Sequence, residues 1–325
     1  MKDKSVKIVK YTFWAVLAAV LLHFSFKGVD WKEFWRVLRQ CRWSFVALAM
    51  AAGVFSFIFR ALRWRLLILP EEPSVKRMDC YDGFAIGKLC DFAVPHVGEF
   101  VRCGYVVTPG LTYDKALGTV VLERAWDILM LALLIVLLLV FKWNDFGGFF
   151  TDRILGPASE ALNVNLWWLL PLAVLALAAM IWAVFALSSR SKFCARAADF
   201  FKGIVRGAGS CLKMKRKGLF LLLTASLWTM FLLMSLFVIK ALPVDYGLTA
   251  VDALFIMLVG SVAGIVPVPG GFGAFHYLVA LALQTIYGIP FEMGVIFATL
   301  SHESQAITMM LCGTVAYVRQ ALKRR

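Results

Sequence analysis

Glu99 and Arg102 stand three residues apart in "FAVPHVGEFVRCGY", a stretch interrupted by Pro95 and Gly98. Residues at i and i+3 share a helix face, so the two can pair. Glu123, Arg124 and Asp127 form a second charged group, "LERAWD", directly ahead of the apolar run "ILMLALLIVLLLV". A third group is "SHESQ", which brings His302 and Glu303. Each charge within hydrocarbon costs roughly 2.5–3.5 kcal/mol on insertion scales. Such groups mark either an ion-pair lock between segments or a polar cavity that admits a headgroup or a proton. Arginine suits the second task, because its planar fork binds phosphate through two hydrogen bonds. Arg102 and Arg124 are therefore the expected phosphate ligands, with Glu99, Glu123 and Asp127 orienting them. Arg60, Arg63 and Arg65 in "FRALRWRLLI" are expected at the inner interface, snorkelling to lipid phosphates.

The stretch "GIVPVPGGFGAFH", Gly264 to His276, places poor helix formers inside otherwise apolar, helical sequence. Pro267 and Pro269 push the residues before them out of helical geometry. Gly270, Gly271 and Gly273 then permit a sharp reversal. Irregular backbone deep in a membrane survives only when packed in protein or lining a wet cavity. The chain is expected to restart as a helix near Ala274, whose free amides make a plausible anion cradle. A hairpin tip with no ligand is the plainer reading of the same residues. His276 is expected within reach of His302 or Glu303, where a titratable side chain can couple movement to pH or serve as a hydrogen-bonded core histidine.

These groups need a scaffold, and composition says which kind. The 325 residues are 61% hydrophobic, with a mean hydropathy of +0.80. Several segments approach the roughly 20 apolar residues of a spanning helix, so the fold expected is an all-α polytopic membrane protein. The candidate segments are Tyr11–Phe26, Ser44–Phe59, Gly83–Val107, Ala116–Phe141, Leu166–Leu187, Gly218–Leu242, Val251–Tyr287 and Met293–Val318. The charged N-terminus and its apolar run lack a small-residue cleavage site, so they read as an uncleaved first helix. Gly83–Val107 carries Lys88, Asp91, Pro95, Glu99 and Arg102, and Val251–Tyr287 is too long for one crossing. Both are expected to be re-entrant hairpins, leaving about six spanning helices.

Loop charge supports that arrangement. Ser188–Lys217 carries nine basic residues, whereas Lys142–Asn165 carries two. If the first hairpin enters and returns on one side, both termini and the nine-charge loop fall inside, as basic loops should. Lys27–Arg42 is the offender, and "WKEFWRVLRQCRW" reads as an interfacial amphipathic helix with tryptophan anchors. The chain then divides at residues 1–145 and 146–325 into two repeats of opposite orientation, each holding one hairpin, the plan of many secondary transporters. The net charge of +14 fits loops facing anionic lipid better than nucleic acid. Seven scattered cysteines without a CxxC pair read as small buried hydrophobes.

The motifs also resemble a family, the lysylphosphatidylglycerol synthase transmembrane region. The pieces that carry the likeness are "RALRW" at 60–64, "PHVGEFVR" at 95–102, "LERAWD" at 122–127 and "VPVPGGFGAFH" at 266–276, in this order. The resemblance covers nearly the whole chain. It implies lipid handling: transfer of a phospholipid or polyprenyl-phosphate carrier between leaflets of the bacterial cytoplasmic membrane. The breaks and charged groups together give the expected lipid site: Arg60, Arg63, Pro95, Glu99, Arg102, Glu123, Arg124, Asp127, Pro267, Pro269, Gly270, Gly271, Gly273, His276, His302 and Glu303. The family usually carries a glutamate where this chain has His276, which puts a carboxylate role there in doubt. No aminoacyl-transfer domain is attached, so synthesis of lysylated lipid is not expected.

The expected partners are membrane lipids with anionic headgroups, with no nucleic acid and room for a homo-oligomer. No cofactor is expected. A His-rich metal site is set aside, because only four histidines are present. "HES" at 302–304 begins like the zinc motif HExxH, but Ala306 stands at the place of the second histidine. His276 can supply that ligand only from another helix. An intramembrane hydrolase is thus a remote rival, and a non-transporting membrane scaffold is a nearer one.

Overall fold

Long runs of Leu, Ala, Phe and Val without internal breakers favour helix wherever lipid or protein removes competing water. The computed structural model describes residues 31–92, 94, 96–149, 175, 186, 214–264 and 273–323. Among them the regular elements are all helical: α1 (Trp31–Gln40), α2 (Trp43–Ile68), α3 (Arg77–Asp91), α4 (Gly98–Cys103), α5 (Tyr113–Phe149), α6 (Lys217–Ala241), α7 (Ala250–Ala263), α8 (Ala274–Tyr287) and α9 (Phe291–Lys323). Three of these, α2, α5 and α6, are long and apolar enough to cross a membrane by length and composition. The expected segments Tyr11–Phe26 and Leu166–Leu187, and nearly all of the nine-charge loop, lie outside the described residues. So do Pro95, Pro267, Pro269, Gly270 and Gly271.

The chain divides into two compact units, Met1–Gly110 with Met214–Arg325, and Leu111–Lys213. In the second, α5 runs through the expected segment 116–141 and on to Phe149. It bends at Lys142, whose φ of −139° and ψ of 36° are not helical. In the first, α2 packs along α6, α3 sits against α2, α4 and α9, and α8 lies on α9. The amphipathic reading of α1 matches its faces. Phe34 and Val37 are buried, while Trp31, Trp35, Arg36 and Arg39 are exposed.

Helix α2 continues to Ile68, nine residues past the expected end at Phe59. Charge at Arg60 ends an apolar window, but it does not end a helix. Trp64, Leu67 and Ile68 are fully buried and hold the last turns in place. Beyond it, the Glu72 carboxylate accepts hydrogen bonds from Ser74 Oγ and Thr108 Oγ1, both at 2.5 Å. These bonds hold its carboxyl below the usual range and tie the loop after α2 to the one after α4.

Both stretches that sequence marked as broken are antiparallel helix pairs. In the pair α7/α8, the Tyr287 hydroxyl donates to Asp252 Oδ1 at 2.9 Å, so the end of α8 lies beside the start of α7. Asp252 also caps α7, accepting from Thr249 N and Oγ1 at 2.7 Å each. Each helix has 14 residues, about 21 Å at 1.5 Å per residue. That is short of the ~30 Å hydrocarbon layer. The backbone break that separates them ends at Gly273, with φ of 86°, a value glycine accepts without a Cβ clash.

The pair α3/α4 closes on glycine. A Cβ at Gly87 would fall 2.6 Å from the Gly98 carbonyl oxygen, and one at Gly83 would fall 2.9 Å from the Arg102 carbonyl oxygen. Asp91 Oδ1 accepts from Gly98 N at 2.7 Å at the start of α4. Gly87→Ala must push the two backbones apart, since neither colliding atom sits on a flexible side chain. A loss of about 1–3 kcal/mol is expected, the range for overpacking. It is read as a lower unfolding temperature in detergent, and an unchanged temperature would refute the close crossing.

Candidate functional site

Among the described residues of the first unit, polar side chains gather in the interior at several places. The first cluster gathers around Phe84 of α3. The guanidinium of Arg60 lies 5.6 Å from this ring, that of Arg102 5.9 Å and the Lys88 ammonium 5.9 Å. Arg102 also sits over Trp64 at 4.6 Å, and Arg60 over Phe231 at 5.7 Å. Cations over aromatic faces gain about 0.5–2 kcal/mol, the larger values where water is excluded. Arg102 pairs with Glu99 at 2.8 Å across the i, i+3 step, and Lys88 pairs with Asp91 at 2.7 Å and reaches Glu99 at 3.7 Å. Arg102 is 1% exposed and Arg63 is completely buried, facing the Phe220 ring at 5.9 Å.

This differs from the expectation that Arg60 and Arg63 snorkel outward. They belong to the interior turns of α2, where aromatic rings from α3 and α6 cover them. Only Arg65 of that group keeps a partly open position, and its Nε donates to the Val75 carbonyl at 2.9 Å. On α5, in the other unit, Glu123 is buried and Arg124 pairs with Asp127 at 3.3 Å.

The second cluster lies where α8 crosses α9. His276, in the first turn of α8, and His302, in the middle of α9, face each other with ring centroids 5.0 Å apart. His302 Nδ1 is 3.1 Å from Glu303 Oε1. The Phe275 ring lies beside both, 5.7 Å from His302 and 6.3 Å from His276. The close approach follows from small residues: a Cβ at Gly294 would fall 2.8 Å from the Ala280 Cα. Beside the histidines a cavity of about 300 Å³ opens between α6, α7, α8 and α9. Its lining mixes apolar side chains, Phe231, Met234, Met257 and Phe275 among them, with the polar Ser235, Ser261, Ser301, His302 and Gln305. Gln305 Nε2 donates to Ser301 Oγ at 3.2 Å. Ser235 Oγ is buried with no hydrogen-bond partner among the described residues. A buried hydroxyl left so costs about 1–3 kcal/mol, a reason to expect a bound water or ligand beside it.

One polar group escaped the sequence reading. Asp82 of α3 is fully buried and accepts from Arg319 Nε at 3.1 Å, from a terminal nitrogen of Arg319, and from Gln320 Nε2 at 2.6 Å. Nothing singled it out in the sequence, since α3 also carries Arg77, Asp79, Lys88 and Asp91. Its partners lie more than 230 residues further on, in α9.

Residues 11–313 match the family described as the lysylphosphatidylglycerol synthase TM region. The chain belongs to this family. No curated protein and no solved structure matches it. Membership and the apolar helices make this a multi-pass membrane protein, and the family's own description points to a role connected with membrane lipid. The family is named for the membrane part of a synthase, and the regular elements among the described residues are helices.

Proposed function

We propose that the chain is a transporter that moves a phospholipid- or polyprenyl-phosphate-type lipid between leaflets of the bacterial cytoplasmic membrane. The two antiparallel pairs act as re-entrant hairpins of an inverted repeat, with boundaries near residue 145 and both termini cytoplasmic. It works as a carrier of anionic-headgroup lipid and not as an enzyme.

The observation that carries this reading is the cavity between α6, α7, α8 and α9. Its lining combines apolar side chains with serine, histidine and glutamine, as a site for an amphiphile requires. The buried cations Arg60 and Arg102, with the half-buried Lys88, supply a second polar station within the same unit. A lipid phosphate there would exchange water for bidentate arginine contacts.

Reconstitution in liposomes tests the reading. Ser235→Phe should fill the cavity and cut headgroup-dependent lipid transfer to a small fraction of the native rate, while the protein still unfolds cooperatively. Equal transfer by native and variant protein would remove the cavity from the path. A scaffold would give no transfer from the native protein, and a hydrolase would give product without transfer.

Orientation has its own check. Nine basic residues between Ser188 and Lys217 favour the inner face. A cysteine placed at position 205 should resist an impermeant reagent added to intact cells. Its ready modification from outside would overturn the inverted-repeat arrangement.

A further inference from the structure

We propose that His276, His302 and Glu303 form a binding site for one divalent transition-metal ion of the zinc class. Each of the three offers a donor atom, and these atoms lie within 4.8 Å of one another. An ion held tetrahedrally with bonds of ~2.1 Å wants its ligands about 3.4 Å apart. Small side-chain rotations close that difference without moving either helix.

The donor set decides the class of ion. Two imidazoles and one carboxylate suit zinc, cobalt, nickel or iron, whereas calcium takes roughly 6–8 oxygens and magnesium an octahedron of oxygens and waters. Three protein ligands leave a fourth position. His302 lines the cavity together with Ser301 and Gln305, so that position has room for a water or a phosphate oxygen. Glu303 and His302 are neighbours on α9, and His276 comes from α8, so an ion also joins the second hairpin to the last helix. The HExxH pattern fails in this sequence because Ala306 stands one turn after His302. Tertiary packing brings the missing imidazole from 26 residues earlier in the chain. The site rests on these side chains and stands whether or not the chain moves lipid.

Burial makes the site demanding and selective. His276 is 1% exposed, and Phe275 covers one side of His302. Metal-bound imidazole is the neutral form, which an apolar surrounding tolerates. The ion's charge in turn answers the part-exposed Glu303 carboxylate, 3.1 Å from His302 Nδ1.

The test uses the full chain, purified in detergent without an affinity tag and stripped with a chelator. Zinc is titrated calorimetrically, and cobalt is added in parallel as an optical probe. The expected result is one ion per chain, a visible cobalt spectrum of tetrahedral type, and a higher unfolding temperature with zinc. Changing an outer-sphere partner of a metal ligand typically costs ~10–100-fold in affinity, so loss of a direct ligand should cost about 100-fold or more. His276→Gln and His302→Gln should each show that loss, and His96→Gln, a histidine on the exposed turn before α4, should bind as the native protein does. If either buried variant fails to fold, Glu303→Gln carries the comparison, since Glu303 is part-exposed. Absence of stoichiometric binding by the native chain overturns the proposal. Undiminished binding by the folded ligand variants overturns it as well.

Discussion

Arg319→Leu is expected to lower the unfolding free energy by about 3–5 kcal/mol. The reason is the fully buried carboxylate of Asp82, which Arg319 and Gln320 satisfy from α9. Without the guanidinium the Gln320 amide still donates, but it brings no charge. An ion inside the protein is then left uncompensated. The double variant Asp82→Leu/Arg319→Leu should recover most of the loss, because two apolar side chains leave nothing to desolvate. The neighbouring pair Lys323–Asp79, at 3.2 Å with side chains 46% and 30% exposed, offers an internal contrast. Breaking it should cost no more than ~1 kcal/mol. Thermal or denaturant unfolding in detergent reads all three. If the double variant is as unstable as the sum of its singles, Asp82 and Arg319 do not act as a pair.

The second large effect is expected at Arg102. Arg102→Ala leaves Glu99, which it meets at 2.8 Å, with the more distant Lys88 at 3.7 Å, and removes a cation 4.6 Å over Trp64. A cost of about 3–5 kcal/mol follows from breaking such a pair from one side. Arg102→Lys keeps the charge and can keep Glu99, so its stability cost should be nearer ~1 kcal/mol. Yet an ammonium lacks the planar fork that stacks on a ring and binds phosphate through two bonds. If Arg102 holds a lipid phosphate, the lysine variant should transfer lipid at least tenfold more slowly than the native protein (about 1.4 kcal/mol in the barrier), with its fold intact. If the cluster serves stability alone, the lysine variant should transfer normally. Native transfer rates in both variants would exclude the phosphate role.

The structure also separates what was legible from what was not. Breaks were legible because proline and glycine act locally. Helix α7 stops at Ala263 and α8 starts at Ala274, on either side of the two prolines. The i, i+3 pair Glu99–Arg102 was legible for the same reason, since helical spacing alone puts the two side chains together. The end of α2 was not. An apolar window stops at the first arginine, but Arg60 and Arg63 are covered by rings from α3 and α6 that only packing supplies.

Composition and periodicity by themselves determined a helical membrane protein, its long apolar helices and the places where two of its segments must break. Those are properties of neighbouring residues in one solvent, and lipid forces the backbone to satisfy itself locally. Tertiary structure alone decided which distant groups meet. Asp82 found Arg319, and the glycines of α3 met α4 at close range. The meeting of His276 with His302 was expected from the sequence, and the structure adds its distance of 5.0 Å and its cause, Gly294, which lets α8 settle on α9. Contacts of that kind depend on the shape of two surfaces brought together, and no spacing along the chain encodes it.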